Sequence, residues 1–228
     1  MLLHRRRFLT GIGLLALAGG VGAPLARLLG FSPDFISSAA AQTADQAKLM
    51  APGASPLPAK TLGDPKAPVT IVEYASMTCS HCATFNQQTW PTLKSKYVDT
   101  GKVYFVFREF PFDPVATAAF MLARCVPDDK YFPMVDTLFE TQRAWAFSND
   151  PAGGLLKIAK QAGMSEADFE KCLSDKDLAD KVQASAQYGN KELAIDSTPT
   201  FFVNGKKISG ALTVADLEKE LAPLLQGK

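Results

Sequence analysis

Two cysteines three positions apart, Cys79 and Cys82 with Ser80 and His81 between them, constrain this chain more than any other feature. The run before them, residues 69–74 with Val69, Ile71, Val72 and Tyr74, alternates and is rich in β-branched residues, so it reads as a strand. The run after them, Ala83 to Trp90, has few breakers before Pro91 and reads as a helix. At this spacing both thiols lie on one side of a single helical turn, where they can close into a disulfide and reopen with little backbone movement. Cys79 falls at or just before the first turn. The unpaired N–H groups and the helix dipole there favour an anion. The expected consequence is a thiolate whose pKa lies well below the ~8.5 of a free cysteine. That is the chemistry of a redox dithiol.

The N-terminal 41 residues read as an export signal. His4 to Thr10 form a basic start, and Gly11 to Leu29 a weakly apolar, Gly- and Ala-rich stretch broken by Pro24 and Arg27. Ala39, Ala40 and Ala41 precede Gln42 as a cleavage site. Arg5, Arg6, Arg7, Phe8 and Leu9 resemble the twin-arginine pattern, and the modest hydrophobicity fits that route. The plainer alternative is a general secretory signal that happens to be arginine-rich. Either route leads to an oxidising space outside the cytoplasm, where disulfides persist. Without residues 1–41 the chain keeps 20 basic and 22 acidic side chains. That balance gives no reason to expect a nucleic-acid or anionic-membrane partner.

Residues 42–60, with Pro52, Pro56 and Pro58, read as a flexible lead-in. A second strand is expected over Lys102 to Glu109. Some eighty residues of helical periodicity follow, including the stripe Val115, Ala118, Ala119, Leu122, Ala123. Ser165 is a plausible helix start, and a longer helix is expected over Asp177 to Leu193. Strand character returns at Thr200 to Val203. Asn204 and Gly205 then make a two-residue hairpin turn, and Thr213 caps a last helix with the stripe Leu217, Leu221, Leu224, Leu225. The expected fold class is α/β. A small sheet unit over residues 61–112 and 194–228 is interrupted by a helical domain at 113–193.

The strand ending in Glu73 and Tyr74, the dithiol opening a helix, the helical insertion, and Ser197, Thr198, Pro199 and Thr200 before the hairpin together resemble the DsbA-like thiol:disulfide oxidoreductases of the thioredoxin superfamily, over roughly residues 60–228. The resemblance implies a thioredoxin-like fold. Cys79 becomes the exposed nucleophile and Cys82 the buried resolving thiol. Thr198 and Pro199 become a substrate-binding loop with a cis peptide bond facing the disulfide, although a trans proline is the commoner state in general. Glu73 becomes a buried acid relaying a proton to or from Cys82, against the alternative of an edge-strand glutamate facing water. His81 adds to the stabilisation of the Cys79 thiolate, unless it is an exposed helix residue of little electrostatic weight. Some members carry a second, structural disulfide, which here pairs Cys125 with Cys172. The alternative is two separately buried thiols.

The implied activity is that of a periplasmic, monomeric oxidase. It donates the Cys79–Cys82 disulfide to reduced, unfolded exported proteins, is reoxidised by a membrane quinone-linked protein, and needs no cofactor beyond the dithiol. An isomerase or reductase on the same fold is the nearest rival. A redox-inert chaperone would have no need of both sulfurs. A metal site built from Cys79, His81 and Cys82 is disfavoured, because ligands so tightly spaced suit a tetrahedral centre poorly. A thiol protease lacks a remote histidine, since His81 is the one histidine beyond the signal.

Overall fold

The computed structural model describes residues 48–226 apart from residue 52. The expected export signal and its cleavage site after Ala41 lie outside the described residues. Five strands form one sheet: β1 (Lys60–Leu62), β2 (Val69–Ala75), β3 (Val103–Glu109), β4 (Thr200–Val203) and β5 (Lys206–Ser209). Their spatial order is β1-β3-β2-β4-β5, with β2 and β3 parallel and every other neighbouring pair antiparallel. A parallel pair needs a crossover. Here it is α1 (Ser80–Gln88), α2 (Trp90–Leu93) and a π-helical turn, Lys94–Val98. Pro91 was expected to stop the helix, and it does not. It occupies the first turn of α2, where its missing N–H has no intrahelical partner to lose.

Between β3 and β4 the chain is helical: α3 (Pro114–Cys125), α4 (Tyr131–Glu140), α5 (Gln142–Trp145), α6 (Pro151–Gln161), α7 (Glu166–Leu173) and α8 (Lys176–Leu193). The last helix is α9 (Val214–Leu225). The oxygens of Asp113, Asp150, Ser165, Asp175 and Thr213 each accept a first-turn N–H, and Thr213 and Asp216 complete a capping box. Each such cap contributes about 1 kcal/mol and fixes where its helix begins. A disulfide joins Cys125, the last residue of α3, to Cys172 of α7.

The alternation of β2 and β3 divides the interior. Ile71, Ala75, Phe105 and Phe107 join the larger core shared with α1, the helical insertion and α9. Val72, Tyr74 and Val106 face the other way, against Phe110, Ala186, Leu193 and Ile195. The C-terminal half of α8 comes close to the sheet on that side because Gly189 has no side chain. A Cβ there would lie 3.1 Å from both the Phe110 and Tyr74 rings.

Three expectations need correction. The lead-in is not loose over its described part. Leu49 and Ala54 are buried, the Lys48 carbonyl accepts from the Tyr188 hydroxyl at 2.7 Å, and the Pro58 carbonyl accepts from Arg124 at 2.8 Å. Its last residue, Lys60, already belongs to β1, a strand too short to leave a periodic signal. In α9, Leu217 and Leu221 are buried but Leu224 is exposed, because the helix end runs past the edge of the core.

Candidate active site

The β2 strand delivers Glu73 to the larger core and ends at Ala75, one residue before the loop that carries the dithiol. Cys79 is the N-cap of α1, with extended backbone (φ −82°, ψ 119°), and the Cys79 N–H donates to the Ser76 carbonyl at 3.1 Å. The first turn of α1 has no acidic residue to compete for its free N–H groups. Cys79 and Cys82 are unbridged. Cys79 is partly exposed and Cys82 is 0% exposed.

The two thiols are driven apart in acidity. That of Cys79 is lowered to about 5, first by a hydrogen bond from the Cys82 thiol. The Thr198 side chain and the N–H groups of Cys82 and His81 add to this, against the opposing effect of partial burial. Cys82 is pushed well above the ordinary thiol range by burial, and further by its hydrogen bond to Cys79 and by the negative charges of Cys79 and Glu73. One sulfur is therefore a ready nucleophile, while the other stays protonated and donates to it.

Thr198 and Pro199 lie directly opposite, across a cis peptide bond. As a thiol, Cys79 donates to the Thr198 carbonyl at 3.3 Å. The Thr198 hydroxyl is buried without a partner when Cys79 is in that state. A rotation of this hydroxyl lets it donate to the thiolate instead, which accounts for its part in lowering the Cys79 pKa. Pro199 is buried, and its carbonyl accepts from the Gly210 N–H at 2.8 Å, which ties the loop to the end of the hairpin.

Glu73 is 3% exposed, so it is not an edge-strand carboxylate facing water. Its pKa is raised well above the ordinary value by burial first, then by the negative charges of Cys79 and Asp136. A carboxyl in this state holds a proton beside Cys82. Because the folded pKa lies above the unfolded one, the folded protein binds the extra proton, and its stability falls as pH rises from about 4.5 toward the raised value. In oxidised protein, where neither active-site thiol titrates, Glu73→Gln removes this slope. Urea unfolding at a series of pH values should show the variant gaining on the parent by up to about 1.4 kcal/mol per pH unit above pH 4.5. Parallel curves would mean that Glu73 ionises as freely in the folded chain as in the unfolded one.

His81 is exposed, and the group it brings toward Cys79 is its N–H. Several residues that shape the site give no clear sequence signal. Asp136 on α4 accepts from Asn86 on α1 at 2.9 Å. Thr78 donates to Asp113 at 2.6 Å. Gln142 donates to the carbonyls of Met77 and Cys79. All three pairings are long-range, so no local spacing announces them. Asp113 alone carries a hint, because Asp before Pro114 is a helix-start pattern.

A cavity of about 590 Å³ lies elsewhere, lined among others by Lys60, Trp90, Arg124 and Phe132, and includes neither sulfur nor Pro199. Of the two sulfurs only that of Cys79 reaches the surface, beside the Thr198 carbonyl, where a protein chain can approach it. Among the described residues no group of three or more His, Cys, Asp or Glu side chains is placed to hold a metal ion.

Residues 58–222 match the thioredoxin family. The solved structure of alpha-DsbA1 from Wolbachia pipientis superimposes with a TM-score of 0.69 at 34% identity, over 75% of this chain and 92% of that one. A protein-disulfide isomerase from Novosphingobium aromaticivorans gives 0.65 at 26% identity, over 73% and 97%. A Rickettsia bellii sequence, provisionally named a protein-disulfide oxidoreductase, is 36% identical over 145 residues, 63% of this chain and 56% of its own length. The chain thus spans little more than half the length of that curated relative. With its sheet order, its helical insertion and a dithiol at the start of α1 facing a cis-proline loop, the chain belongs to the thioredoxin family, among its DsbA-like members.

Proposed function

We propose that this protein is an exported thiol:disulfide oxidase that introduces disulfides into reduced, unfolded proteins in the periplasm. The observation that carries this reading is the division of labour between the sulfurs: a partly exposed Cys79 of low pKa above a buried, protonated Cys82. In the forward reaction a substrate thiolate attacks Cys79 of the Cys79–Cys82 disulfide. The S–S bond breaks toward Cys82, which takes a proton from Glu73, and a mixed disulfide links Cys79 to the substrate. A second substrate thiolate then attacks the substrate's own sulfur and releases Cys79 as a thiolate. The substrate loses two electrons and the protein disulfide gains them. Thr198 and Pro199 hold the substrate chain beside Cys79. The exposed ring of Phe112, next in sequence to Asp113, offers apolar surface of the kind unfolded chains bind.

Release of Cys79 is favoured because its thiolate is stabilised, which makes the oxidised form the reactive one. The cycle needs no cofactor beyond the dithiol. It closes when a membrane quinone-linked protein removes the two electrons. The Cys125–Cys172 bond, exposed at Cys125 and buried at Cys172, supports an oxidising location and is separate from the cycle.

The test is to equilibrate the purified protein in glutathione buffer and follow two substrates, reduced denatured ribonuclease and scrambled ribonuclease. Rapid oxidation of the first with weak repair of the second is expected. Efficient repair of the scrambled form would instead assign an isomerase, the activity named for the Novosphingobium structure.

A further inference from the structure

The main chain that presents Cys79 is held from outside the sheet unit. Gln142, the first residue of α5 in the helical insertion, is 3% exposed. Its Nε2 donates to the Met77 carbonyl at 2.8 Å and to the Cys79 carbonyl at 2.9 Å. Both protons of the amide are thus spent on the loop, across more than sixty residues of sequence. The Cys79 carbonyl also accepts the first α-helical bond of α1, from the Ala83 N–H at 3.2 Å. The same loop is gripped at a second point, where Thr78 donates to Asp113 at 2.6 Å and Asp113 in turn caps α3.

We propose that Gln142 is a positioning residue for the thiol–disulfide chemistry: by clamping the carbonyls on either side of Thr78, it fixes the N-cap conformation that aims Cys79 Sγ at the open first turn of α1 and at Thr198. The inference rests on the functional reading above and extends it, since it gives the helical insertion a part in setting the reactivity of the dithiol. The chemistry fits the residue type. Two neighbouring carbonyls need two donors in one plane, which a primary amide supplies and a carboxylate does not. Once the clamp is lost, the buried Met77 carbonyl is left without the Gln142 donor and the Cys79 carbonyl keeps only the Ala83 N–H, so the loop shifts to satisfy the first and is no longer pinned at the second. Cys79 then leaves the geometry in which its thiolate is held.

Two variants of nearly unchanged volume test this. Gln142→Leu removes the donors, and Gln142→Glu replaces them with acceptors and, when ionised, a negative charge. The readouts are the pH midpoint of thiolate absorbance at 240 nm, the equilibrium constant with glutathione, and unfolding of both redox forms. The midpoint should rise by about one unit in Gln142→Leu, with a roughly tenfold weaker oxidant at neutral pH. It should rise further in Gln142→Glu. The reduced form should lose more stability than the oxidised form. The inference is overturned if the midpoint and the glutathione constant stay within twofold of the parent while both redox forms lose stability equally, because Gln142 would then be a structural tie alone. Should Gln142→Leu fail to fold, Gln142→Glu and Thr78→Val, which cuts the second grip, must show the same upward shift or the inference falls. A parent midpoint near that of a free thiol would instead refute the functional reading itself.

Discussion

Replacing Cys79 with serine should reduce thiol–disulfide exchange by at least about three orders of magnitude, because the thiolate is the nucleophile and no other described thiol is free and exposed. Replacing Cys82 with serine should have a different outcome. Cys79 remains accessible and reacts, but the buried partner that would release a trapped substrate is gone. The variant should accumulate as a mixed disulfide with substrate or glutathione, visible as a mass increase that reductant removes. The asymmetry follows from position. Cys79 stands at the helix N-terminus, whereas Cys82 lies wholly inside the larger core. If both variants lost exchange equally and neither trapped a partner, the two sulfurs would not have the separate roles their burial indicates.

The second large effect is on stability. The Cys125–Cys172 bond spans 47 positions and ties the end of α3 to α7 within the helical insertion. Removing it as the double variant Cys125→Ala, Cys172→Ala should cost about 4 kcal/mol in the chain-entropy account, lowering Tm by about 8–16 °C for a domain of this size. Oxidation of the Cys79–Cys82 pair should persist below that lowered Tm, since the bond is not part of the dithiol. Calorimetry of the parent and double variant checks this. A loss under about 1 kcal/mol would mean that the unfolded insertion is already compact without the bond.

Strong local signals made much of this legible in the amino-acid sequence. The period-two run at residues 69–74, the Asn204–Gly205 turn and the caps at Ser165 and Thr213 mark element ends where the structure has them. The dithiol was readable because strand, thiols and helix are contiguous. Pro91 misled because a proline reads alike as a stop or as a first-turn residue, and the restart of the helix after Thr89 depends on tertiary anchoring: the Thr89 hydroxyl donates to the Leu212 carbonyl at 2.7 Å. The lead-in misled because its composition suggests a linker, while Leu49 is buried in one cluster with Val72 and Tyr74 of β2 and Ala186 and Leu193 of α8, residues far from it in sequence. The buried group formed by Glu109, Arg124 and Tyr131 was likewise invisible, since its members come from three elements. Gln142 shows the general limit: a residue that acts by holding a distant main chain has no spacing to announce it.

The most direct test of the central claim is the rate of iodoacetamide labelling of Cys79 in the reduced protein as a function of pH. The folded pKa lies below the unfolded one, so the thiolate stabilises the reduced fold, fully above the unfolded value of 9.0, and that contribution is lost as pH falls through about 5. Labelling should therefore titrate with a midpoint near 5 and be fully developed at neutral pH, and the reduced protein should lose stability relative to the oxidised form as the pH is lowered toward that midpoint. A labelling midpoint of about 8.5, that of an ordinary cysteine, would contradict the account.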